Sequence, residues 1–524
     1  MNGHQAQVAI VGAGPGGLVA AKWLKQYGFE PVIFEQSDDI GGQWNAHASH
    51  SGVWSSMRAN TSRLTTSFSD LQYEPGTSVF PSNQQVHAYL QRYVTQFELD
   101  SHLRLGTQIK QIGRATDNGW AITFVSQVGE LQTESFPYVV IASGRNNKPM
   151  IPSVLGLDSF SGAGGIIHTF EYKDPDRYRG QRVLVGGGSI SALEIASDLA
   201  NLGATRVVSA NRRQHYILHK ILAGVPTSDI VYTRFAALAA ESMPLEVIAQ
   251  ELKNFVVQTS GSPEQFGAPK PADNIFEAGL SQSQQYLPLV AEGRITTKPW
   301  IRAVKGQMVH FTDDTKEEID AMIFGTGYTL HLPFLSQAIR QTLNLDTHHL
   351  DLHKFTFHPD LPGLAFLGLF KQPSPYFPIL ELQARWLTYV WSNVCPTPSR
   401  VEMDMGLAMY RARRGQPQEM RMHDMALLFA REAGVEPDLY QWSDHLRALL
   451  FGPLSATSFR LSGPDSLPDA AQRFAEEAIA FGAVPSPQLK PEQQAQLKTL
   501  AAISNNSDLA RLINPVKLTE PVSI

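Results

Sequence analysis

The most constraining feature of this 524-residue sequence is its beginning. An apolar run at 7–11 leads into Gly12, Gly14 and Gly17, and a helical pattern follows at 18–27. The first glycine permits a tight turn, the second lets the backbone approach a pyrophosphate, and the third allows a helix to pack closely on a strand. The helix N-terminus then faces the phosphates. This pattern predicts a parallel α/β sheet with a dinucleotide site.

The residues around this motif extend the predicted site. Glu35 ends the next strand, at 31–35, where a carboxylate accepts hydrogen bonds from ribose hydroxyls. Glycines at 41 and 42 precede Gln43 and Trp44, an arrangement that suits the flank of a flat ring system, although a core tryptophan after a turn is the alternative. We assign cofactor contacts to all of these positions and to the phosphate loop itself, namely Gly12, Gly14, Pro15, Gly16, Gly17, Glu35, Gln43 and Trp44.

The same pattern returns in the middle of the chain. A strand at 182–185, a glycine cluster, a helix at 191–202 and a strand at 206–210 form a second unit. Ser191 takes the place of the third glycine, and its small side chain suits the packing role. We predict that this loop binds phosphate through Gly186, Gly188, Ser189, Ile190 and Ser191.

Two arginines distinguish the second site from the first. Arg212 and Arg213 follow the second strand, where no carboxylate stands. Two guanidinium groups there suit a 2′-phosphate, whereas a solvated arginine pair is the alternative. The first site is therefore predicted to take FAD or NAD and the second NADP, and the pair implies hydride transfer from NADPH to FAD.

Two βαβ units in one chain predict an α/β fold with two nested Rossmann-like domains. Apolar strands ending in glycine turns at 138–145 and 320–328 are the predicted crossing points. The FAD-binding domain would comprise residues 1–155 and 320–505, the latter including C-terminal helices. It would be interrupted by an NADP-binding domain at 156–319, with a lid-like insertion at about 221–300 and a tail at 506–524.

Composition excludes several classes of protein. The net charge of -6 offers no general attraction to nucleic acid. The single Cys395 excludes a disulfide framework and a cysteine zinc site, and fits a reducing cytosol. No apolar run reaches the ~18 residues that span a bilayer, and the histidines between 348 and 358 match no compact ligand motif. We expect a soluble cytoplasmic protein without a metal, a membrane or a nucleic-acid partner.

Several further segments resemble the class B flavin-containing monooxygenases. Residues 160–162 and 168–173 resemble the family's F-x-G-x-x-x-H-x-x-x-Y fingerprint, with five residues here between Gly162 and His168. Residues 324–328 resemble the family's F-A-T-G-Y linker, and this resemblance implies that Thr326 contacts a cofactor. Residues 378–386 and 449–453 are similar to the family's C-terminal segments.

Residues 57–62 are similar to the segment in which this family places an active-site asparagine. The resemblance implies that Arg58, Asn60 and Thr61 contact the cofactors and that Asn60 is catalytic, holding a flavin–oxygen adduct and the NADP amide in register. A neutral amide hydrogen-bonds such an adduct without supplying a proton at the wrong oxygen. From the residues alone, an asparagine in this Ser/Thr-rich loop is read as a turn or cap residue.

The resemblance implies an oxidoreductase that uses FAD, NADPH and O2. It would be a monooxygenase similar to the N,N-dimethylaniline monooxygenases, oxygenating an amine nitrogen or thioether sulfur of a small molecule through a C4a-hydroperoxyflavin. Baeyer–Villiger oxygenation of a ketone is the alternative, although relatives specialised for it resemble a fingerprint ending in tryptophan where Tyr172 stands here. An NADPH oxidase and a nucleotide-binding flavoprotein without oxygen transfer stay open, as does a homodimer.

Overall fold

The computed structural model describes residues 6–116, 118–372, 375–415 and 420–504. The tail predicted at 506–524 lies outside these residues. None of the helices in the described part is long and apolar enough to cross a membrane.

The first domain is built on a five-stranded parallel sheet whose strand order is β22-β7-β1-β2-β3. Its central strands are apolar and covered on both faces, as expected for parallel strands. The strands of this sheet are β1 (Gln7–Val11), β2 (Glu30–Phe34), β3 (Leu103–Arg104), β7 (Tyr138–Ile141) and β22 (Leu364–Phe366).

Two layers cover this sheet. On one face, α1 (Pro15–Gln26) packs against α10 (Phe377–Trp391), whose residues 377–390 are all buried. The other face meets an antiparallel sheet, because Val11 and Phe34 share a core with Trp120 and Phe124. That antiparallel sheet consists of β4 (Gln108–Arg114), β5 (Trp120–Val125) and β6 (Leu131–Phe136).

The second domain contains another five-stranded parallel sheet, in the order β16-β11-β10-β20-β9. Helices α3 (Ile190–Leu202) and α8 (Tyr286–Ala291) cover one face, and a small antiparallel sheet covers the other. The sheet's strands are β9 (Gly165–His168), β10 (Arg182–Gly186), β11 (Arg206–Ala210), β16 (Ile295–Lys298) and β20 (Ala321–Phe324), and the covering strands are β17 (Ile301–Lys305), β18 (Met308–Phe311) and β19 (Lys316–Glu318). The nested α/β fold class is thereby confirmed.

The predicted boundary between residues 319 and 320 is wrong. Strand β20 belongs to the second sheet, where it pairs with β10 and β9, and all four of its residues are buried. The chain crosses back after it, at β21 (Tyr328–Thr329), which pairs antiparallel with β8 (Lys148–Pro149). An apolar strand before a glycine turn fits either sheet locally, so only the pairing assigns it.

The lid-like segment predicted at 221–300 is not one unit. Its last part, α8 and β16, belongs to the core of the second domain. The inserted part comes before them, and its α5 packs on C-terminal helices of the chain. The inserted elements are β12 (Tyr216–Leu218), β13 (Ile221–Leu222), β14 (Val225–Pro226), α4 (Ser228–Val231), α5 (Arg234–Ser242), α6 (Leu245–Ser260), α7 (Ile275–Ala278) and β15 (Leu280–Gln282).

The helices outside these layers complete the first domain and the C-terminal part. In the C-terminal part, α12 packs on both α10 and α5, which places this part against the inserted segment. These helices are α2 (Asn83–Gln96), α9 (Gln337–Thr342), α11 (Arg400–Ala412), α12 (Met422–Glu432), α13 (Leu446–Phe451), α14 (Ala470–Ile479) and α15 (Pro491–Ser504).

Candidate functional site

The first glycine loop leaves no room for side chains at two positions. Gly12 has a φ of +103°, and a Cβ there would lie 2.8 Å from the carbonyl oxygen of Ala142. A Cβ on Gly17 would lie 1.9 Å from the carbonyl oxygen of Gly12. The glycines therefore bring α1 close to the end of β1, as the sequence predicts for a dinucleotide loop.

Helix α1 begins without a side-chain cap. Gly14 precedes Pro15 in extended conformation, and no side chain accepts a hydrogen bond from the first turn. By contrast, Ser82 caps α2 and Ser399 caps α11. Gly14 and Gly16 have no side chain that would keep a ligand away from the first turn of α1. The amides of that turn therefore fit the phosphate oxygens of a dinucleotide.

Glu35 lies directly beside this loop. Its Oε2 accepts a hydrogen bond from the Ala13 amide at 2.9 Å, and its Oε1 accepts one from the Ser37 amide at 2.9 Å. The side chain is 4% exposed. A carboxylate has about four acceptor positions, so Glu35 is fixed in place and keeps capacity for a ribose hydroxyl.

Gln43 and Trp44 occupy a 3-10 turn at Gly42–Trp44. The Gln43 side chain accepts from the Gly52 amide at 2.8 Å and donates to the carbonyls of His50 and Asn146 at 3.0 and 3.1 Å. Its amide thus ties together three stretches of the first domain. Trp44 is half-buried and packs partly against the main core of that domain.

The second glycine loop starts one residue later than the sequence predicts. The Gly187 amide donates to the Ala210 carbonyl at 2.8 Å, just as Gly12 donates to Phe34. Gly187 has a φ of +135°, and a Cβ there would lie 2.5 Å from the Gly325 carbonyl oxygen. Gly187, and not the predicted Gly186, therefore occupies the first motif position.

The later motif positions shift with it. Ser189 precedes α3 without a side-chain cap, as Gly14 precedes α1. Ala192, rather than Ser191, is the buried small residue against the turn, and its Cβ would lie 3.3 Å from a Cβ added to Gly187. Gly186 is still part of β10, because it pairs with Ala210 and Phe324. Three consecutive glycines do not reveal which one leaves the strand.

The remaining residues predicted for this loop lie around α3's start. Gly188 faces Asn211 and His215, and its added Cβ would be 3.6 Å from each. Ile190 and Ser191 lie half-buried in the first turn of α3. The uncapped first turn of α3 thus fits phosphate oxygens in the way that α1 does.

Arg212 and Arg213 are both exposed just beyond β11. The Arg212 guanidinium lies 4.9 Å from the ring centroid of Trp300. Arg213 donates from Nη1 to the Glu277 carbonyl at 2.9 Å. Neither forms an ion pair with a carboxylate of the described residues, so both keep N–H groups for an anion.

A segment of the first domain, residues 51–62, is attached to the second domain. Lys173 donates from Nζ to the carbonyls of Ser51 and Val53 at 2.5 and 3.1 Å. The Trp54 indole donates to Asp198 of α3 at 2.9 Å, and Ser56 also donates to Asp198. Burial raises the pKa of the Asp198 carboxyl, while these two donors lower it.

The predicted residues Arg58, Asn60 and Thr61 lie in this segment. Asn60 is half-buried, and its side chain makes no hydrogen bond with other residues in the described ranges. Thr61 is buried, and its Oγ1 lies 2.8 Å from Thr66 Oγ1. Arg58 is exposed. Burial of Lys220 lowers the pKa of that lysine, and the positive charge of Arg58 also lowers it. Asn60 and Arg58 therefore both keep hydrogen-bonding groups for a ligand, whereas the Thr61 hydroxyl is engaged.

Thr326 and Tyr172 lie where the two domains meet. Thr326 donates to the Met150 carbonyl at 2.5 Å, which joins the two crossing segments. Tyr172 is fully buried between the rings of Trp54 and Tyr178, at centroid distances of 5.9 and 5.8 Å. Burial raises the pKa of the Tyr172 hydroxyl.

Sequence reasoning missed Lys173, Asp198 and Asp229, which hold the 51–62 segment. Asp229 accepts a hydrogen bond from Ser62, two residues after Asn60. Asp198 and Asp229 stand in no spacing pattern typical of a site, and Lys173 follows the tyrosine of the fingerprint without being part of its spacing. Each of the three acts on residues more than a hundred positions away. A charged residue next to apolar ones is the signal that could have indicated Asp198 and Asp229.

Comparison with known proteins finds similarity over most of the chain. Residues 5–477 match the family model described as flavin-binding monooxygenase-like. Dimethylaniline monooxygenase [N-oxide-forming] 2 of Rattus norvegicus is 30% identical over 485 residues, 87% of this chain and 89% of its own.

Solved structures show the same fold. S-allyl-L-cysteine S-oxygenase from Allium sativum aligns with a TM-score of 0.62 and 21% identity, covering 96% of this chain and 98% of its own. Cyclohexanone monooxygenase bound to epsilon-caprolactone aligns with a TM-score of 0.63 and 17% identity, covering 85% of this chain and 99% of its own.

Proposed function

Because the chain belongs to the flavin-binding monooxygenase-like family, we propose that it transfers one oxygen atom of O2 to an amine nitrogen or a thioether sulfur of a small molecule. Family membership makes it a flavin monooxygenase with FAD and NADPH as cofactors. The observation that carries the choice of substrate is its 30% identity, over 87% of the chain, with an N-oxide-forming enzyme. Tyr172, in place of the tryptophan of ketone-specialised relatives, favours the same choice.

The first glycine loop and Glu35 would hold FAD. The uncapped first turn of α1 suits the pyrophosphate, and the fixed Glu35 carboxylate suits a ribose hydroxyl. When bound, FAD supplies the redox chemistry, since it accepts a hydride from NADPH and activates O2 once reduced.

The second loop and the arginines would hold NADPH. The uncapped start of α3 suits its pyrophosphate, and Arg212 suits its 2′-phosphate. Because Arg212 lies against Trp300, part of the cost of orienting its guanidinium is already met in the protein.

Asn60 is the residue to which we assign a direct role in oxygen transfer. Its amide both donates and accepts hydrogen bonds and carries no acidic proton at neutral pH. An amine nitrogen or a sulfur needs no side-chain base to act as a nucleophile towards an electrophilic oxygen. The protein's contribution is thus orientation by Asn60 and exclusion of water.

Product analysis with three substrate classes tests the proposal. We expect NADPH oxidation to yield the N-oxide of N,N-dimethylaniline or the sulfoxide of a methyl aryl thioether, in preference to the lactone of cyclohexanone. Preferential lactone formation would replace the proposal by Baeyer–Villiger oxygenation. Peroxide alone, in an amount equal to the NADPH consumed with every substrate, would identify an oxidase.

The variant Asn60→Ser tests the residue assignment. Flavin reduction by NADPH should survive, while product falls and peroxide rises about tenfold or more, since one hydrogen bond to the reacting centre is lost. Asn254→Ser is the matched control, because Asn254 lies on α6 and accepts a hydrogen bond from Gln250 of the same helix, at 2.7 Å. Unchanged coupling in Asn60→Ser would refute the role of Asn60.

A further inference from the structure

Asp229 is a buried carboxylate of the inserted segment with an unusual environment. None of its surface is exposed. Its Oδ1 accepts hydrogen bonds from Ser62 Oγ at 2.7 Å and from Ser228 Oγ at 2.9 Å. Its Oδ2 is also buried and has no hydrogen-bond partner among the residues that the structure describes. Two hydroxyl groups, one of them from the Asn60 segment, are thus its polar partners.

Ser62 connects Asp229 to Asn60. The carbonyl of Ser62 accepts from the amides of Thr65 and Thr66 at 3.1 and 3.0 Å, which makes a tight turn that begins two residues after Asn60. On the other side, the Ala59 amide donates to the Pro81 carbonyl at 2.8 Å. Because the Asn60 side chain makes no hydrogen bond within the part of the chain that the structure describes, its direction depends on the backbone contacts of Ala59 and Ser62.

Stability does not explain a carboxylate at this place. The neighbouring charge that acts on Asp229 is the carboxylate of Glu477 on α14, which has the same sign. Two cations lie on adjoining segments but are engaged elsewhere: Arg63 donates to the Thr77 carbonyl at 2.6 Å, and Lys220 lies 3.8 Å from Glu194. Burial of a carboxylate without a cation opposes folding.

We propose that Asp229 is a positioning residue, whose carboxylate holds Ser62 and thereby sets the direction of the Asn60 amide. Hydrogen bonds to an ionised acceptor are roughly twice as strong as those to a neutral one. The ionised carboxylate therefore orders the segment more firmly than an uncharged residue of the same shape. This inference rests on the proposed role of Asn60 and assigns to the inserted segment a part in the coupling of NADPH oxidation to oxygen transfer.

Asp229→Asn tests this inference, because asparagine keeps the shape and the Oδ1 acceptor but not the charge. We expect the ratio of peroxide to product to rise about fivefold, as estimated from the weaker hydrogen bonds. Anaerobic flavin reduction by NADPH should stay within about twofold of wild type, because the phosphate contacts lie on other loops. The variant should also melt at a higher temperature at pH 8, which loss of a merely structural contact would not produce.

Two further variants complete the experiment. Ser62→Ala removes the connecting hydroxyl and should also raise the peroxide ratio. Ser392→Ala is its control, because Ser392 donates to the Thr388 carbonyl at the end of α10, at 2.7 Å, and not to a group that acts on Asp229. Flavin absorbance and the melting temperature verify that each variant folds and binds FAD.

The pH profile separates a charge effect from a packing effect. Burial and the Glu477 charge raise the pKa of the Asp229 carboxyl to about 6. The wild-type peroxide ratio should therefore rise as pH falls through about 6, whereas Asp229→Asn should give the high ratio throughout.

The outcomes distinguish this inference from the proposed function. If wild type forms N-oxide or sulfoxide and Asp229→Asn couples equally well at pH 8, the inference is wrong and the proposed function stands. If wild type forms only peroxide with all amines and thioethers, the proposed function fails and removes this inference with it.

Discussion

Removal of the two arginines after β11 should separate NADPH from NADH. The two nucleotides differ only in the 2′-phosphate, so a side chain that binds this group affects one and not the other. Arg212→Ala and Arg213→Ala each delete a guanidinium group and leave the rest of the second glycine loop intact. The expected result is a weaker affinity for NADPH with little change for NADH.

The structure ranks the two variants. A hydrogen bond to a charged group contributes about 1.5–3 kcal/mol, which corresponds to roughly 10- to 150-fold in affinity. Arg212 lies 4.9 Å from the Trp300 ring centroid, which orients its plane, and no hydrogen bond within the described residues engages it. Arg213 already donates from Nη1 to the Glu277 carbonyl at 2.9 Å. We therefore expect about 100-fold for Arg212→Ala and about tenfold for Arg213→Ala.

The assay is anaerobic flavin reduction over a range of nucleotide concentrations. It reports binding and hydride transfer and does not depend on the oxygenated substrate. Trp300→Ala should give an intermediate loss of NADPH affinity, because Arg212 then loses its support. Arg302→Ala is the control, since Arg302 is an exposed arginine of the same domain that pairs with Asp314.

Equal weakening for NADPH and NADH would refute the reasoning, because it would mean that the arginines support the loop rather than the phosphate. Unchanged NADPH affinity in both variants would refute it as well. A larger effect for Arg213 than for Arg212 would overturn only the ranking and the role given to Trp300.

Two further predictions concern the glycine loop and Asp229. Gly17→Ala places a Cβ 1.9 Å from the Gly12 carbonyl oxygen and should abolish FAD binding, as measured by the flavin absorbance of the purified protein. Gly113→Ala is the control and should retain flavin, because the atom nearest to its new Cβ would be 3.9 Å away. The Asp229 carboxyl has a pKa of about 6 in the folded protein, above its ordinary value of 3.8. The folded state therefore binds the proton more tightly than the unfolded state does. As the pH rises from about 4 to above 6, ionisation of Asp229 lowers the stability of the folded protein. Asp229→Asn should consequently gain up to about 3 kcal/mol in free energy of unfolding over wild type above pH 7 and progressively less towards pH 4; a constant difference in urea unfolding between these pH values would contradict this.

Local patterns in the sequence are sufficient for the glycine loops and the order of domains. The glycines at 12, 14 and 17 follow an apolar strand directly, and their conformational requirements are properties of neighbouring residues. The second motif is recognisable for the same reason, but the sequence predicts its register one residue too early. A run of three glycines carries no local sign of where β10 ends, and the pairing of Gly186 with Ala210 and Phe324 decides it.

The domain boundary and the inserted segment need the tertiary structure. Strand β20 is apolar on both sides and would fit the interior of either sheet, so its partners β10 and β9 assign it to the second domain. Likewise, α8 and β16 resemble other parts of the 221–300 region in composition but form the core of that domain.

The candidate site also has features that the sequence predicts and contacts that only the tertiary structure reveals. The sequence by itself determined two glycine loops, a carboxylate at the first and two arginines at the second, because each of these features resides in a short stretch of chain. The tertiary structure alone decided how the Asn60 segment is held, through Lys173, Asp198 and Asp229. These contacts join residues distant in the chain, and the burial that makes a lone aspartate consequential exists only once both domains have packed around it.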